Sequence, residues 1–207
     1  MWVRRGDSES GRIGARSRHG GGARGDNGAV TTYLAFLRAI NLGAKRVFPK
    51  GDIRRVVESA GFDDVDTHIN TGNVRFSSGM RSRERIEEKL EQAFAADRGF
   101  EVPTMVYTAA EIADIAATVR ELDDEHPGLA RHYVYLLKDE PSPDARARLA
   151  AAASDAGEMI VRGRAAHALL RPGYQDGRVD PLGAAKHLGV ATNRNATVIT
   201  ALAAKWC

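Results

Sequence analysis

Two polar segments of the chain carry the residue types that bind anions. The first is a loop that contains the cations Arg38, Lys45 and Arg46 together with the amide Asn41. It precedes a predicted helix, and the N–H groups and dipole at a helix N-terminus favour negative charge. The second segment is the turn 70–73, Asn-Thr-Gly-Asn. Together they predict a binding site for a small anionic ligand that carries phosphate or carboxylate.

A structural interpretation of the same residues is also open. Arg38 and Asn41 could hold the loop in place through hydrogen bonds to carbonyl groups. Asn73 suits a turn because asparagine tolerates left-handed backbone conformations, and Thr71 lies in the same turn. The sequence alone does not separate ligand binding from this structural role.

A third polar segment, Thr192-Asn193-Arg194-Asn195, lies just before the last predicted helix. Asn195 or Thr192 is suited to cap that helix. A cation such as Arg194 is unfavourable near a helix N-terminus unless an anion joins it. We therefore expect Arg194 either to pair with an acid or to bind a ligand carboxylate or phosphate, with Asn195 beside it.

The remaining polar groups are expected at the surface. The run 123–126, Asp-Asp-Glu-His, predicts a solvated acidic loop rather than a metal site, because adjacent residues rarely converge on one ion. Arg162 and Arg164 flank Gly163 and are expected in an exposed turn. The chain has no HExxH or GxSxG motif and no cysteine in a catalytic context. The sequence therefore identifies no catalytic residue, no cofactor and no metal site.

The hydrophobic pattern predicts the elements that position these segments. Residues 33–37 and 133–137 are continuously apolar, which indicates strands buried on both faces. In each half, a helical pattern and a β-hairpin follow that strand. The first half then continues with a second helix and a strand, so that its order is β-α-β-β-α-β, the split βαβ arrangement.

The second half begins with a connecting helix. Thr108 and Glu111 form a capping box that opens this helix, which is expected to end near Arg120. Further helices are expected near residues 182–188 and 196–206. We predict an α+β protein of two fused ferredoxin-like (split β-α-β) units, with mainly antiparallel sheets and additional C-terminal helices. The predicted boundaries are 1–29 for a disordered Gly/Arg-rich tail, 30–107 for the first unit, and 108–207 for the connecting helix and the second unit.

This topology brings two of the polar segments together. The first two strands of a split βαβ unit run parallel, so the loop after the first strand and the hairpin after the second lie at the same end of the sheet. The loop of Arg38, Asn41 and Lys45 is therefore expected beside the turn of Thr71 and Asn73.

Charge and composition limit the function classes. The 207 residues hold 30 basic and 27 acidic side chains, and residues 1–30 account for six of the basic and three of the acidic ones. The rest of the chain is neutral, which argues against a nucleic-acid-coating domain. The tail is expected to be disordered, and Val30 is an alternative start of the protein. The single cysteine and the absence of a long apolar run predict a cytoplasmic protein without a membrane segment.

Three other functions stay open from the sequence. Tyr33, Phe36 and Phe76 are strand aromatics on which nucleic-acid bases could stack, as in RNA-binding sheets. An enzyme could use Arg38 and Arg194 to stabilise developing negative charge, although the sequence shows no nucleophile or base beside them. An unpaired sheet edge could also join subunits into an oligomer.

Three motifs carry a resemblance to a known family. They are Leu37-Arg38-Ala39-Ile40-Asn41-Leu42-Gly43, Thr67-His68-Ile69-Asn70-Thr71-Gly72-Asn73-Val74-Arg75-Phe76 and Ala191-Thr192-Asn193-Arg194-Asn195-Ala196-Thr197-Val198. In this order and spacing they resemble the bacterial domain of unknown function 1697 family, over about residues 31–205. The resemblance implies a pair of ferredoxin-like halves, but no reaction, cofactor or catalytic residue.

The chain departs from the family's motifs at a few positions. Ala39 stands where the family usually has Gly, which is expected to narrow the approach of a ligand to the backbone. His68, Asn70 and Thr71 replace Tyr, Gln and Ser. The positions that fit are Arg38, Asn41, Gly72, Asn73, Arg194, Asn195 and Thr197.

Overall fold

The computed structural model describes residues 30–41, 43–174, 180 and 182–207. The predicted tail, residues 1–29, lies outside the described residues. The strands are β1 (Thr31–Leu37), β2 (Asp63–His68), β3 (Asn73–Ser78), β4 (Thr104–Thr108), β5 (Arg131–Leu137), β6 (Gly157–Arg162), β7 (Ala165–Leu170) and β8 (Ala191–Asn195). The α-helices are α1 (Lys50–Ser59), α2 (Arg83–Arg98), α3 (Ala109–Glu125), α4 (Pro143–Ala151) and α5 (Ala196–Trp206), and Ala185–His187 forms a 3-10 turn.

The strands form two four-stranded antiparallel sheets with the same topology. The strand orders are β2-β3-β1-β4 and β6-β7-β5-β8. In each sheet the apolar strand, β1 or β5, lies inside the sheet between two neighbours, which explains why its side chains are buried on both faces. The predicted fold of two fused ferredoxin-like units is therefore confirmed.

Three apolar clusters hold the layers together. Helices α1 and α2 cover the outer face of the first sheet, for example through Val57 and Leu90. Helices α3 and α5 pack between the inner faces of the two sheets, where Phe36 and Leu136 belong to the same cluster. Helix α4 covers the outer face of the second sheet through Leu149. None of the described helices is long and apolar enough to cross a membrane.

Three details of the second half differ from the sequence prediction. Residues 191–195 form β8, a strand that the sequence analysis does not predict; the sequence Ala-Thr-Asn-Arg-Asn has no apolar alternation because this short strand lies at the edge of the sheet. Helix α3 continues to Glu125 instead of ending near Arg120, so that part of the predicted acidic loop is helical. Residues 182–188 contain a 3-10 turn and not a longer helix.

The strand registers define equivalent positions in the two units. Leu34 of β1 pairs with Arg75 and Tyr107, whereas Val134 of β5 pairs with His167 and Arg194. Tyr107 and Arg194 are therefore equivalent positions on the last strands, and Arg75 and His167 are equivalent positions on β3 and β7.

A chain of polar side chains is buried on the inner face of the second sheet. His132 Nδ1 lies 2.8 Å from the Asp123 carboxylate, and His132 Nε2 lies 3.0 Å from Nδ1 of His167. His167 is fully buried, and its Nε2 has no hydrogen-bond partner among the described residues. Burial, followed by the charges of His132 and Arg162, lowers the pKa of His167 to about 3.

Candidate functional site

The β1–α1 loop and the β2–β3 turn contact each other, as the topology predicts. The Asn41 side chain connects them, because its Nδ2 donates to the Asn70 carbonyl at 2.7 Å and to the Phe48 carbonyl at 3.1 Å. Its Oδ1 accepts from the Phe48 N–H at 2.8 Å. Asn41 thus has a structural role in shaping the loop. Arg46 is also used internally, donating to the carbonyls of Ala39 and Glu101, both at 2.6 Å.

Arg194 crosses from the second unit to the first, where it binds the β2–β3 turn. Its Nε donates to Oδ1 of Asn73 at 2.6 Å. Its Nη2 donates to the carbonyls of Thr71 at 2.7 Å and of Leu37 and Gly72 at 3.3 Å. Its Nη1 donates to Thr192 Oγ1 at 2.9 Å and to the Asn193 carbonyl at 2.7 Å. These acceptors engage all five N–H groups of the guanidinium, and the group also lies over the Phe36 ring.

No carboxylate pairs with Arg194 within the described part of the chain, although its residue is only 7% exposed. Burial lowers its pKa to about 10, and no acidic side chain opposes this shift. The prediction that Arg194 pairs with an acid is therefore wrong for the described residues. Its described partners are neutral carbonyl, amide and hydroxyl groups, and none of them compensates the positive charge.

A cleft of about 750 Å³ opens beside this guanidinium, between the two units. The first unit contributes residues 37–41 and 69–71 to its walls. The second unit contributes residues 191–195 together with Tyr133, Tyr135, Leu188 and Val198, among others. None of the described residues that line the cleft is acidic. Asp180 lies nearby, but its carboxylate accepts from the N–H groups of Ala184 and Ala185 at 3.0 Å.

The predicted site residues are brought together only in part. Arg38, Asn41, Thr71, Arg194 and Asn195 line the cleft. Arg38 is exposed, and its guanidinium has no hydrogen bond or ion pair with a described residue.

Two other predicted residues lie outside the cleft lining. Asn73 lies behind the cleft, where it is buried and holds the turn by donating to the His68 carbonyl and to Thr71 Oγ1. Lys45 is exposed on the loop and is not among the residues that line the cleft.

The backbone around the cleft is strained. Four described residues other than glycine have positive φ, and three of them line the cleft: Ala39 (56°), Asn41 (54°) and Ile69 (49°). Positive φ is disfavoured for alanine and most of all for a β-branched residue such as isoleucine. The positive φ of Ala39 also explains why the family that this chain resembles usually has glycine here, because glycine adopts this conformation without strain. Such strain is concentrated at functional sites in many proteins.

The equivalent place, beside Tyr107, contains a salt bridge within the protein. Tyr107, the counterpart of Arg194, donates to the carbonyls of Leu137 at 2.8 Å and of Arg164 at 2.7 Å. The Arg164 guanidinium lies 3.9 Å from the centre of the Tyr107 ring and donates to Glu111 at 2.9 Å. The predicted exposure of Arg164 is therefore wrong, since its side chain is 11% exposed. A smaller pocket of about 370 Å³ lies there.

Several cleft residues carry no sequence signal. Tyr133 and Tyr135 belong to an apolar strand and are expected in the core. Leu188 and Val198 are likewise ordinary apolar residues of the second unit. They border the cleft because β8 is an edge strand, and the missed strand is the reason that sequence reasoning did not place them there.

Comparison with known proteins agrees with this architecture. The family model described as "Protein of unknown function (DUF1697)" matches residues 30–167. A search of curated proteins gives no match. The conserved bacterial protein SP0830 from Streptococcus pneumoniae is similar in structure, with a TM-score of 0.62 and 20% identity, over 86% of this chain and 100% of that one. That likeness supports the fold, and the family match, which spans more than half of the chain, shows that the protein belongs to the DUF1697 family.

Proposed function

We propose that this protein binds a small anionic ligand, carrying carboxylate or phosphate, in the cleft between its two units. The observation that carries the proposal is the charge of the cleft lining, which contains two arginines and, among the described residues, no acid. We keep the cytoplasm as the proposed location, because the chain has a single cysteine and no long apolar run.

The two arginines support different parts of this function. Arg38 is exposed and unpaired among the described residues, so its guanidinium is available for a bidentate contact with an anion. Arg194 has no free N–H, but its charge lies next to the cleft in a buried environment, where electrostatic attraction is stronger than in water. In this proposal Arg38 contacts the ligand directly. Arg194 makes the electrostatic potential of the cleft more positive without donating a hydrogen bond to the ligand.

The equivalent pocket beside Tyr107 supports the same interpretation. There the buried cation, Arg164, has its own carboxylate, which comes from Glu111 in the first turn of α3. The corresponding position in the first turn of α5 is Val198, which lines the cleft. A ligand carboxylate or phosphate would supply in the cleft the negative charge that Glu111 provides beside Tyr107.

The nucleic-acid alternative has less support. Tyr33, Phe36 and Phe76, the aromatics on which bases could stack, are all buried in the core. Stacking needs an exposed ring face. We therefore favour the small-ligand function. A gel-shift experiment with residues 30–207 is the control that tests for nucleic-acid binding.

The experiment is a thermal-shift screen of the whole protein with inorganic phosphate, nucleotides and dicarboxylates, followed by calorimetric titration of each anion that stabilises it. A ligand at a hundredfold excess over Kd should stabilise the fold by about 2.7 kcal/mol. Substituting Arg38→Ala should weaken binding at least about tenfold, because it removes a charged hydrogen bond.

Lys45→Ala is the matched control, since Lys45 is an exposed cation of the same loop that does not line the cleft. Its affinity should equal that of the wild type. The proposal fails if no anion stabilises the protein, or if both variants lose affinity equally, because the second result would indicate only general charge attraction.

A further inference from the structure

The edge strands of the two sheets differ in the partners of their outward N–H groups. Strand β4 is the edge strand of the first sheet, and three of its N–H groups point away from β1. Each of them donates to the carboxylate of a glutamate. The bonds are Thr104 to Glu91 (2.8 Å), Val106 to Glu87 (2.9 Å) and Thr108 to Glu111 (2.7 Å).

Strand β8 has the same row of N–H groups. The Lys138 N–H donates to the Val190 carbonyl at 2.8 Å, and inward and outward bonding alternate along an antiparallel strand. The N–H groups of Ala191, Asn193 and Asn195 therefore point away from β5. None of the three has a side-chain acceptor among the residues that the structure describes, and all three residues line the cleft.

The difference arises from the elements beside each edge. Helix α2 supplies Glu87 and Glu91 to β4, and the capping box of α3 supplies Glu111. In the second unit the described residues between β7 and β8 form only a 3-10 turn, and Val198 replaces the capping glutamate. Within the described ranges, the row of donors on β8 thus lies along the cleft without the carboxylates that its counterpart has.

We infer that the ligand of the cleft is a dicarboxylate with an apolar body, whose two carboxylates bind the outward N–H groups of Ala191 and Asn193 on β8. This inference rests on the proposed function. Alternate residues of a strand lie about 6.8 Å apart and their outward N–H bonds are nearly parallel, so one phosphate cannot align with two of these donors, whereas two linked carboxylates can. Ile40, Ile69 and Leu188 provide apolar walls for the linker, and Arg38 provides charge for one carboxylate.

The test is a calorimetric titration of the wild-type protein with the straight-chain series from succinate to suberate, with hexanoate and inorganic phosphate for comparison. Affinity should rise with chain length to adipate or pimelate, whose extended length matches the donor spacing. We expect these to bind at least about tenfold more tightly than succinate, hexanoate or phosphate, since each carboxylate adds charged hydrogen bonds.

A backbone variant tests the donors themselves. Ala191→Pro removes one outward N–H and is compatible with an edge strand, whereas Ala191→Val keeps it. The proline variant should lose about tenfold in adipate affinity and the valine variant should lose little. If the proline variant does not fold, as judged by circular dichroism, the chain-length series decides the question alone.

The outcomes separate the inference from the function on which it rests. Binding of phosphate that depends on Arg38, without a preference for the longer dicarboxylates, overturns the inference and leaves the proposed function intact. Unchanged adipate binding by folded Ala191→Pro overturns the inference as well. Absence of binding by every anion overturns both.

Discussion

Tyr107 and Arg194 make equivalent hydrogen-bonded contacts between the two units, but with different chemical groups. Each is on the last strand of its unit and donates to backbone carbonyls of the other unit, at the end of the apolar strand and at the hairpin. Tyr107 does so with one neutral hydroxyl beside a salt-bridged arginine. Arg194 does so with a buried charge beside an open cleft. Two units of the same topology therefore make an interface contact at the same place, with a neutral hydroxyl in one unit and a buried charge in the other.

The largest expected effect comes from removing the charged contact. Arg194→Met leaves the Asn73 side chain and several carbonyls buried without a donor, so we expect the free energy of unfolding to fall by about 3 kcal/mol. Tyr107→Phe removes a single hydroxyl and should cost about 1 kcal/mol. Urea denaturation measures both. Equal losses for the two variants would contradict the view that Arg194 is the stronger contact.

Acid should weaken the second unit through His167. Its pKa of about 3 lies below the ordinary value of 6.5, so the folded protein resists protonation. This contribution to stability is complete above about pH 6.5 and is lost as the pH falls toward 3; the loss between pH 7 and 4 is on the order of 3 kcal/mol.

Denaturation curves at several pH values check the acid effect. His167→Leu should flatten the dependence between pH 7 and 4, whatever its effect at pH 7. His187→Leu is the control, because His187 is partly exposed and outside the buried chain. If the His167→Leu protein keeps the wild-type slope, the acid sensitivity has another source.

The smallest expected stability change makes the two units more alike. Val198→Glu gives α5 the capping carboxylate that Glu111 gives α3, so it should stabilise the fold by about 0.5–1 kcal/mol. The same carboxylate should abolish anion binding, because it occupies the cleft. Val198→Gln separates the effects, since it caps without charge. Retained binding in Val198→Glu would show that the equivalence of the two pockets does not extend to their ligands.

The sequence predicted the fold because its signals are local. The apolar runs of β1 and β5, the Thr108 capping box and the β2–β3 turn each depend on neighbouring residues, and the structure contains all of them. The approach of Asn41 to Asn70 followed from topology alone.

The parts of the site that sequence reasoning missed depend on contacts between the units. Strand β8 has little hydrophobic pattern, because one of its edges is free and its inward residue is Arg194. The partners of Arg194 in the first unit lie more than 120 residues away in the chain. The burial of Arg164 depends similarly on Tyr107 and Glu111. Such partners are found only when the two sheets are placed against each other.

The left-handed residues Ala39 and Ile69 also bear on how this protein could change over evolution. Glycine at either position would relax the backbone, so each is a ready route to a more heat-resistant variant. Both positions lie at the rim of the cleft. Selection for thermal tolerance alone would therefore replace these two rim residues with glycine before it changed the core. If a heat-adapted relative keeps both side chains, they are needed for something other than stability.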